Sequence, residues 1–248
     1  MCIGSLLLFD LTRRKGAYTV GFMESFRQNF IEDNRWQYLT DGLKTTLIIT
    51  FFAVLIGMVL GFLVAIIRST YLRTKRLLIP DLICRLYLTV IRGTPVVVQL
   101  LIIYFVIFAS VPISKTFVAI LAFGINSGAY VAEIVRGGIM AVDVGQLEAG
   151  RSLGLNYRQT MVYIIMPQAF KTVLPALANE AIVLLKETSV AGYIAIADLT
   201  KGGDIIRSQT FSAFMPLIAV ALIYLIMVVV LTRLVNILER KLASNDKR

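Results

Sequence analysis

The sequence predicts an all-α integral membrane protein with five transmembrane helices, the N-terminus outside and the C-terminus in the cytoplasm. The chain of 248 residues is 58% hydrophobic and only 16% charged, with a mean hydropathy of +0.80. Soluble domains, by contrast, are about 45–50% apolar and about 25% charged. Several stretches carry little or no charge over about 20 residues, the length of a helix that crosses a bilayer. Basic residues collect between these stretches, a pattern typical of cytoplasmic loops.

The five predicted spans follow one another with a long connection only between the third and the fourth. They are residues 45–67, 93–114 with an extension back to about residue 86, 116–132, 172–197 and 208–232. The third continues into Glu133 and Arg136. The fourth is interrupted by Glu180, Lys186 and Glu187, and it is kept as a span because otherwise both chain ends would lie on the same side.

The distribution of lysine and arginine in the short loops predicts the orientation. The loops and tail predicted to be cytoplasmic hold Arg68, Arg73, Lys75, Arg76, Arg136, Arg151, Arg158, Lys171, Arg233, Arg240, Lys241, Lys247 and Arg248. The loops on the other face hold only Lys115, Lys201 and Arg207. In span two, Arg92, Gly93 and Pro95 are expected to form the cytoplasmic start of the helix, as a basic anchor followed by a kink.

The chain divides into residues 1–40 as an N-terminal extension and interfacial segment, residues 41–239 as the transmembrane domain and residues 240–248 as a cytoplasmic tail. The basic cluster of residues 13–15 disagrees with an N-terminus outside, and Met23 offers a second start. We therefore expect residues 1–22 to be an upstream extension or a misassigned start without a structural role. Residues 23–40, with Phe26, Phe30, Ile31 and Trp36, lie along the membrane interface or form a solvated leader.

The composition excludes several chemistries. There is no histidine, so no Ser-His-Asp triad, Cys-His pair or HExxH zinc site can form. Cys2 and Cys84 are far apart and fit neither a metal site nor a disulfide framework. The net charge of +10 is spread over loops and tail, and we expect no nucleic acid partner. The chain has no G-x-x-x-x-G-K-[ST] phosphate loop, so it cannot hydrolyse ATP itself.

The long loop from about Arg136 to Lys171 keeps apolar residues at intervals, which predicts ordered structure. Two short helices are expected, with a break at Gly154 and with Pro167 marking the approach to span four.

This loop resembles the EAA loop of the permease subunits of type I ABC transporters. The loop follows the family pattern EAA-x3-G-x9-I-x-LP, with Glu148-Ala149-Gly150, Gly154, Ile164 and Met166-Pro167 at the fixed positions. Gly150 and Met166 are the two departures from this pattern. Three further blocks look like the polar amino acid uptake branch: Arg92 to Pro95 with Gln99, Ala129 to Gly138, and Leu185 to Ser189. In the last block Glu187 stands where the branch usually has aspartate. The likeness covers about residues 41–239.

The resemblance implies the membrane-spanning subunit of an ATP-driven importer for polar or basic amino acids such as arginine, histidine, lysine or glutamine. The implied partners are ABC ATPase subunits, a second permease subunit (identical or homologous), an extracytoplasmic solute-binding protein, the amino acid substrate and the lipid bilayer. No cofactor is expected in this chain, since ATP-Mg would be bound by the ATPase, and the implied location is the bacterial cytoplasmic membrane. The residues expected to couple to the ATPase are Glu148, Ala149, Gly150, Arg151 and Gly154. Small side chains at Ala149 and Gly150 would let the ATPase backbone approach closely.

Charged and polar residues inside the spans are the candidates for the substrate pathway, because such residues are costly in a membrane. They are Glu187, Glu180, Lys186, Asn126, Ser127 and Gln99. Glu187 would hold an ammonium group or a cationic side chain. For Gln99 and Ser127, hydrogen bonding between helices is an equally good interpretation, and for Lys186 the alternative is an ion pair with a neighbouring acid. A passive channel and an intramembrane enzyme remain as rival functions, although no catalytic constellation is visible.

Overall fold

The computed structural model describes residues 21–245, and every regular element in that part of the chain is helical. The α-helices are α1 (Phe22–Phe26), α2 (Trp36–Thr74), α3 (Leu78–Gly93), α4 (Val96–Ile102), α5 (Lys115–Ala141), α6 (Val144–Ser152), α7 (Tyr157–Thr160), α8 (Met166–Glu187), α9 (Leu199–Thr210) and α10 (Phe214–Asn245). Short π-helical segments follow α1, α4 and α7, and 3₁₀ turns cover Glu32–Asn34 and Thr188–Ile194.

Four helical segments are long and apolar enough to cross a membrane: α2, α5, the run Tyr157–Ile194 and Phe214–Ile237 of α10. The pair Leu78–Gly93 and Val96–Ile107 is bent by 110° and gives a fifth crossing if it is one broken span. The described residues therefore contain four or five spans in the order that the sequence predicts.

The expected start of span two was wrong. The helix begins at Leu78, far before Arg92, and the break at Thr94 and Pro95 lies inside the segment instead of at its start. Thr94 is extended, with φ −123° and ψ 148°, because the ring of a following proline disfavours helical backbone in the residue before it.

The connection to span four also differs in part from the prediction. Gly154 does break the chain after α6, with φ +84°. No second separate helix follows, because the segment from Tyr157 runs without interruption to Ile194. Pro167 lies in the first turn of α8, directly after the π-helical segment Met161–Ile165.

The expected fifth span began too early. Residues 208–210 belong to α9, whose C-terminal neighbour Phe211 has φ 54°, and α10 starts only at Phe214. Pro216 stands in the first turn of α10, where proline is well tolerated.

Helices α2 and α5 form the centre of the fold through glycines that interlock. An added Cβ at Gly57 would meet Ser127, and one at Gly61 would meet Val131 and Ala132. In return, Gly124 faces Ile56 and Gly128 faces Leu60. Each helix therefore presents two glycines, four residues apart, to the other, and their missing side chains allow close approach of the backbones.

One end of this helix pair packs against α9 and the N-terminal segment. At this end, an added Cβ on Gly42 would meet the backbone of Leu199, and Thr46 Oγ1 accepts a hydrogen bond of 3.1 Å from the Leu199 N–H. The N-terminal segment packs at this end too, since Phe30 is buried and Thr210 Oγ1 donates to Asn29 Oδ1 over 2.9 Å. The expected extension, residues 1–22, lies almost entirely outside the described residues.

Substitution of Gly61 by alanine is expected to lower the free energy of unfolding by about 1–3 kcal/mol, because the added methyl overlaps Val131 and stands 2.9 Å from the backbone nitrogen of Ala132. The matched control is Gly137→Ala in α5, where no atom lies within 4 Å and alanine favours the helix by about 1 kcal/mol. Thermal unfolding in detergent would compare the two. Equal midpoints for both variants would contradict the close packing of α2 on α5.

Candidate functional site

Two neighbouring polar residues in the middle of α5 link this helix to α4 and α8. Asn126 Nδ2 donates to Gln99 Oε1 over 3.0 Å, and Asn126 is 2% exposed. Gln99 Nε2 in turn donates to the carbonyl oxygens of Ile91 and Thr94 over 2.7 and 3.0 Å. These carbonyls end α3, so the Gln99 side chain satisfies acceptors that the break in the helix leaves open.

The second residue, Ser127, donates its hydroxyl to Glu180 Oε1 over 3.1 Å. Glu180 is half-buried in the run Tyr157–Ile194. Together with the Gln99–Asn126 contact this forms a polar strip across α4, α5 and α8. The interhelical hydrogen bonds expected as one interpretation of Gln99 and Ser127 are present.

Glu187 and Lys186 take different positions at the end of α8. Glu187 is half-buried and lies seven residues after Glu180 on one continuous helix, so both carboxylates share a face. Lys186 is exposed and points about 100° away from Glu187. The structure therefore aligns Glu187 with the polar strip and leaves Lys186 beside it.

A second group of charges was missed in the sequence. Glu133 Oε1 accepts from Arg68 over 2.9 Å, and Glu133 Oε2 accepts from Arg136 over 2.7 Å. Asp81, which is 1% exposed, accepts from Arg85 Nε over 2.6 Å. The sequence signal for Asp81 was that it is the single acid in the apolar stretch 77–84. Its partner Arg68 was predicted to lie in a loop, so the pair was not recognised.

These ion pairs border a cavity of about 740 Å³ between α2, α3 and α5. Its lining residues are Arg68, Arg85, Leu88, Thr89, Arg92, Gly93, Tyr130, Glu133 and Arg136. The Arg92 guanidinium stands 3.9 Å from Glu133 and 5.7 Å from the centre of the Tyr130 ring.

Helix α6 lies at the end of the molecule where α5 ends. Asp143 caps its first turn by accepting from the Gly145 N–H. Glu148, Ala149, Arg151 and the following Leu153 are exposed, the last with 79% of its surface accessible. One face of α6 is therefore free of contacts within the described part of the chain.

Gly150 does not belong to that exposed face, in contrast to the expectation that it lets a partner approach. It is buried against α7 and the segment after it, where an added Cβ would stand 2.5 Å from Thr160 Cγ2 and 3.0 Å from Ile164 Cδ1. The glycine thus allows α6 to fold back on its own chain.

At the opposite end, α9 carries a compact charged group. Asp198 is buried, caps the helix by accepting from the Thr200 and Lys201 N–H groups, and burial raises its pKa. Asp204 accepts from Lys201 Nζ over 2.8 Å and from Arg207, and these hydrogen bonds hold the pKa of Asp204 below its usual range. These residues line a second cavity of about 450 Å³.

Comparison with protein families matches residues 57–244 to the family described as binding-protein-dependent transport system inner membrane component. The arginine transport system permease protein of Bacillus subtilis is 38% identical over 212 residues, which cover 84% of this chain and 94% of the relative. The glutamine transport system permease protein of Escherichia coli is 38% identical over 207 residues, which cover 82% of this chain and 92% of the relative.

A solved structure described as an amino acid ABC transporter with histidines has a similar fold, with a TM-score of 0.78 and 41% sequence identity. The match covers 90% of this chain and 99% of that one. An inward-facing methionine ABC transporter shares the fold with a TM-score of 0.71 at 19% identity, over 85% of this chain and 98% of its own.

Replacement of Gly150 by valine is expected to detach α6 from α7, because the larger side chain overlaps Thr160 and Ile164. A local destabilisation of about 1–3 kcal/mol would speed limited proteolysis between residues 144 and 156 by about 5- to 150-fold. Ala149→Val is the control, because it places the same side chain at an exposed neighbouring position. Equal cleavage rates in the two variants would argue against the packing role of Gly150.

Proposed function

The chain belongs to the family of binding-protein-dependent transport system inner membrane components and is a permease subunit of an amino acid ABC importer; from this premise we propose that it carries a polar or basic amino acid along the acidic face of α8. Residues 57–244 of the chain match the family model. The rest of the proposal concerns the substrate, the coupling to ATP and the assembly.

The observation that carries the substrate proposal is the pair Glu180 and Glu187 on one face of a spanning helix. A carboxylate in a membrane helix is costly unless it meets a partner or a water-filled pathway. Ser127 supplies only one hydrogen bond to Glu180, and a carboxylate has room for several. The remaining acceptors suit the ammonium group that every amino acid has, and the second cation of a basic one.

The carboxylate of the substrate needs donors on the other side of the site. The amide of Asn126, which uses one N–H on Gln99 and has a second, lies along the same polar strip, and Lys186 stands next to Glu187 at the end of α8. Named relatives support this range of substrates, since they are described as transporting arginine, glutamine and cystine.

Coupling to ATP is assigned to the exposed face of α6, with Glu148, Ala149 and Arg151 in contact with a separate ATPase subunit. Gly150 and Gly154 shape this helix from within the chain, the first by packing and the second by its left-handed backbone. Helices commonly dock in a groove of a partner through a few such anchors. ATP-Mg would be bound by the ATPase.

The assembly we propose has two permease subunits, two ATPases and an extracytoplasmic solute-binding protein. In the bacterial cytoplasmic membrane the end with α6 would face the cytoplasm, in agreement with Arg73 in the last turn of α2 and Lys75 and Arg76 after it. The end with α9 would meet the solute-binding protein. Alternating access then moves the site between the two faces.

Replacing Glu187 by glutamine removes a charge at nearly constant shape, and we expect uptake of the amino acid to fall about tenfold or more. Uptake into proteoliposomes that hold the complete transporter is the measurement, and retention of the ATPase subunit verifies assembly. Glu24→Gln, an exposed acid of α1, is the control. Unchanged transport kinetics in Glu187→Gln would count decisively against the proposed site.

A reversal of charge on α6, Glu148→Arg, is expected to reduce co-purification of the ATPase at least tenfold, because a docking face loses its matched charge. Glu24→Arg introduces the same change at the opposite end and should leave the complex intact. If both variants retain the ATPase equally, α6 is not the docking element. Transport without any nucleotide would favour the channel.

A further inference from the structure

The cavity between α2, α3 and α5 is lined mainly by arginine and carries an excess of positive charge. Four of its lining residues are arginines, namely Arg68, Arg85, Arg92 and Arg136, and only Glu133 among the lining residues is acidic. The buried Asp81 lies next to the cavity and pairs with Arg85 and Arg68. Within this cluster two acids therefore face four guanidinium groups.

Each of the two acids already pairs with two arginines. Glu133 accepts from Arg68 and Arg136 at 2.9 and 2.7 Å, and Arg92 remains at 3.9 Å from it. Arg85 and Arg92 keep 48% and 44% of their side-chain surface exposed. These two guanidinium groups thus have donors free to bind an anion, and a guanidinium matches a phosphate group with two parallel hydrogen bonds.

The depth of the cluster in the membrane is fixed by helix α2. Arg68 directly follows the uncharged run of residues 45–67, which at 1.5 Å per residue is about 34 Å long. The hydrocarbon core of a bilayer is about 30 Å thick. Arg68 and the cavity beside it therefore lie at the boundary between acyl chains and headgroups, where lipid phosphates are found.

The outer face of α3 runs along the cavity and is apolar. Leu82, Ile83, Leu86 and Val90 are exposed, with 64%, 64%, 65% and 49% of their surfaces accessible. Arginines in a crevice with an aliphatic stripe beside them match the two parts of a phospholipid. A basic amino acid has a net positive charge, which the excess of arginine would repel.

We propose that this cavity binds the phosphate headgroup of an anionic phospholipid whose acyl chains lie along the exposed face of α3. The lipid would join α2, α3 and α5 just before the break at Thr94 and Pro95. Basic pockets between membrane helices are known to hold such headgroups. The binding site is separate from the proposed transport function and requires only the membrane-embedded fold.

The experiment measures lipid retained by the full-length protein in a neutral detergent, by native mass spectrometry, after addition of phosphatidylglycerol or phosphatidylcholine. Selective retention of phosphatidylglycerol is expected. In the double variant Arg85→Gln/Arg92→Gln the affinity for phosphatidylglycerol should fall about thirtyfold, since each basic group near a lipid phosphate increases the affinity several-fold. Arg85→Lys/Arg92→Lys keeps the charge without the planar fork and should lie between the two.

A matched control, Arg27→Gln/Arg158→Gln, removes the same charge from two exposed positions outside the cavity and should retain the lipid. Equal retention of the two lipids by the unaltered protein would overturn the proposal without any variant. Displacement of the lipid by inorganic phosphate alone would mean a simple anion site, and displacement by free arginine a part of the transport pathway. Either result overturns the proposal.

Discussion

The close contact of α2 with α5 is the constraint on which the remaining structure depends. Because glycines of each helix lie directly against residues of the other, the two backbones lie closer than two leucine-rich helices could. Inside a bilayer no hydrophobic driving force holds helices together, so complementary shape is a main source of helix association there. The contact also determines the rotation of α5, which sends Asn126 and Ser127 toward α4 and α8 and Glu133 toward Arg68.

The polar side chains of the membrane-spanning part differ in kind according to their depth. Near the centre, amide and hydroxyl groups connect helices and compensate for the interrupted α3. At the end with α6, charges are paired between helices, with Glu133 shared by arginines of α2 and α5. The acids of α8 are half-buried, with Glu180 at the level of the central strip and Glu187 two turns farther from α6. The side-chain contacts between helices are thus concentrated at the centre and at the end with α6.

Periodicity and charge predicted most of the fold, because long uncharged runs have few alternatives in a bilayer. Spans one and three were located correctly within longer helices, and Gly154 was identified as a break. The kink after Arg92 was predicted, but at the start of span two and not inside it, since nothing in a linear pattern distinguishes a proline at a helix start from one in the middle. The continuity of α7 and α8 was hidden by Pro167, which usually indicates an end.

The candidate site shows the same limits. Spacing alone was enough to put Glu180 and Glu187 on one face, because both belong to one helix. Contacts between distant residues, such as Arg68 with Glu133, depend on the rotation of packed helices and have no local signature. Gly150 was assigned to a partner because its small size is equally useful for a contact within the chain. Only the packing against Thr160 distinguishes the two.

The unbroken helix from Tyr157 to Ile194 has a mechanical consequence. Thr160, which contacts Gly150 of α6, and Glu187 belong to the same rod, separated by about 40 Å at 1.5 Å per residue. A tilt of about 10° around the Thr160 end would displace Glu187 sideways by roughly 7 Å, about the size of an amino acid. The π-helical turn at Met161–Ile165 and the internal Pro175 are its two points of compliance. In the proposed coupling, they would determine how much of a movement of α6 reaches Glu187 and how much is absorbed as bending.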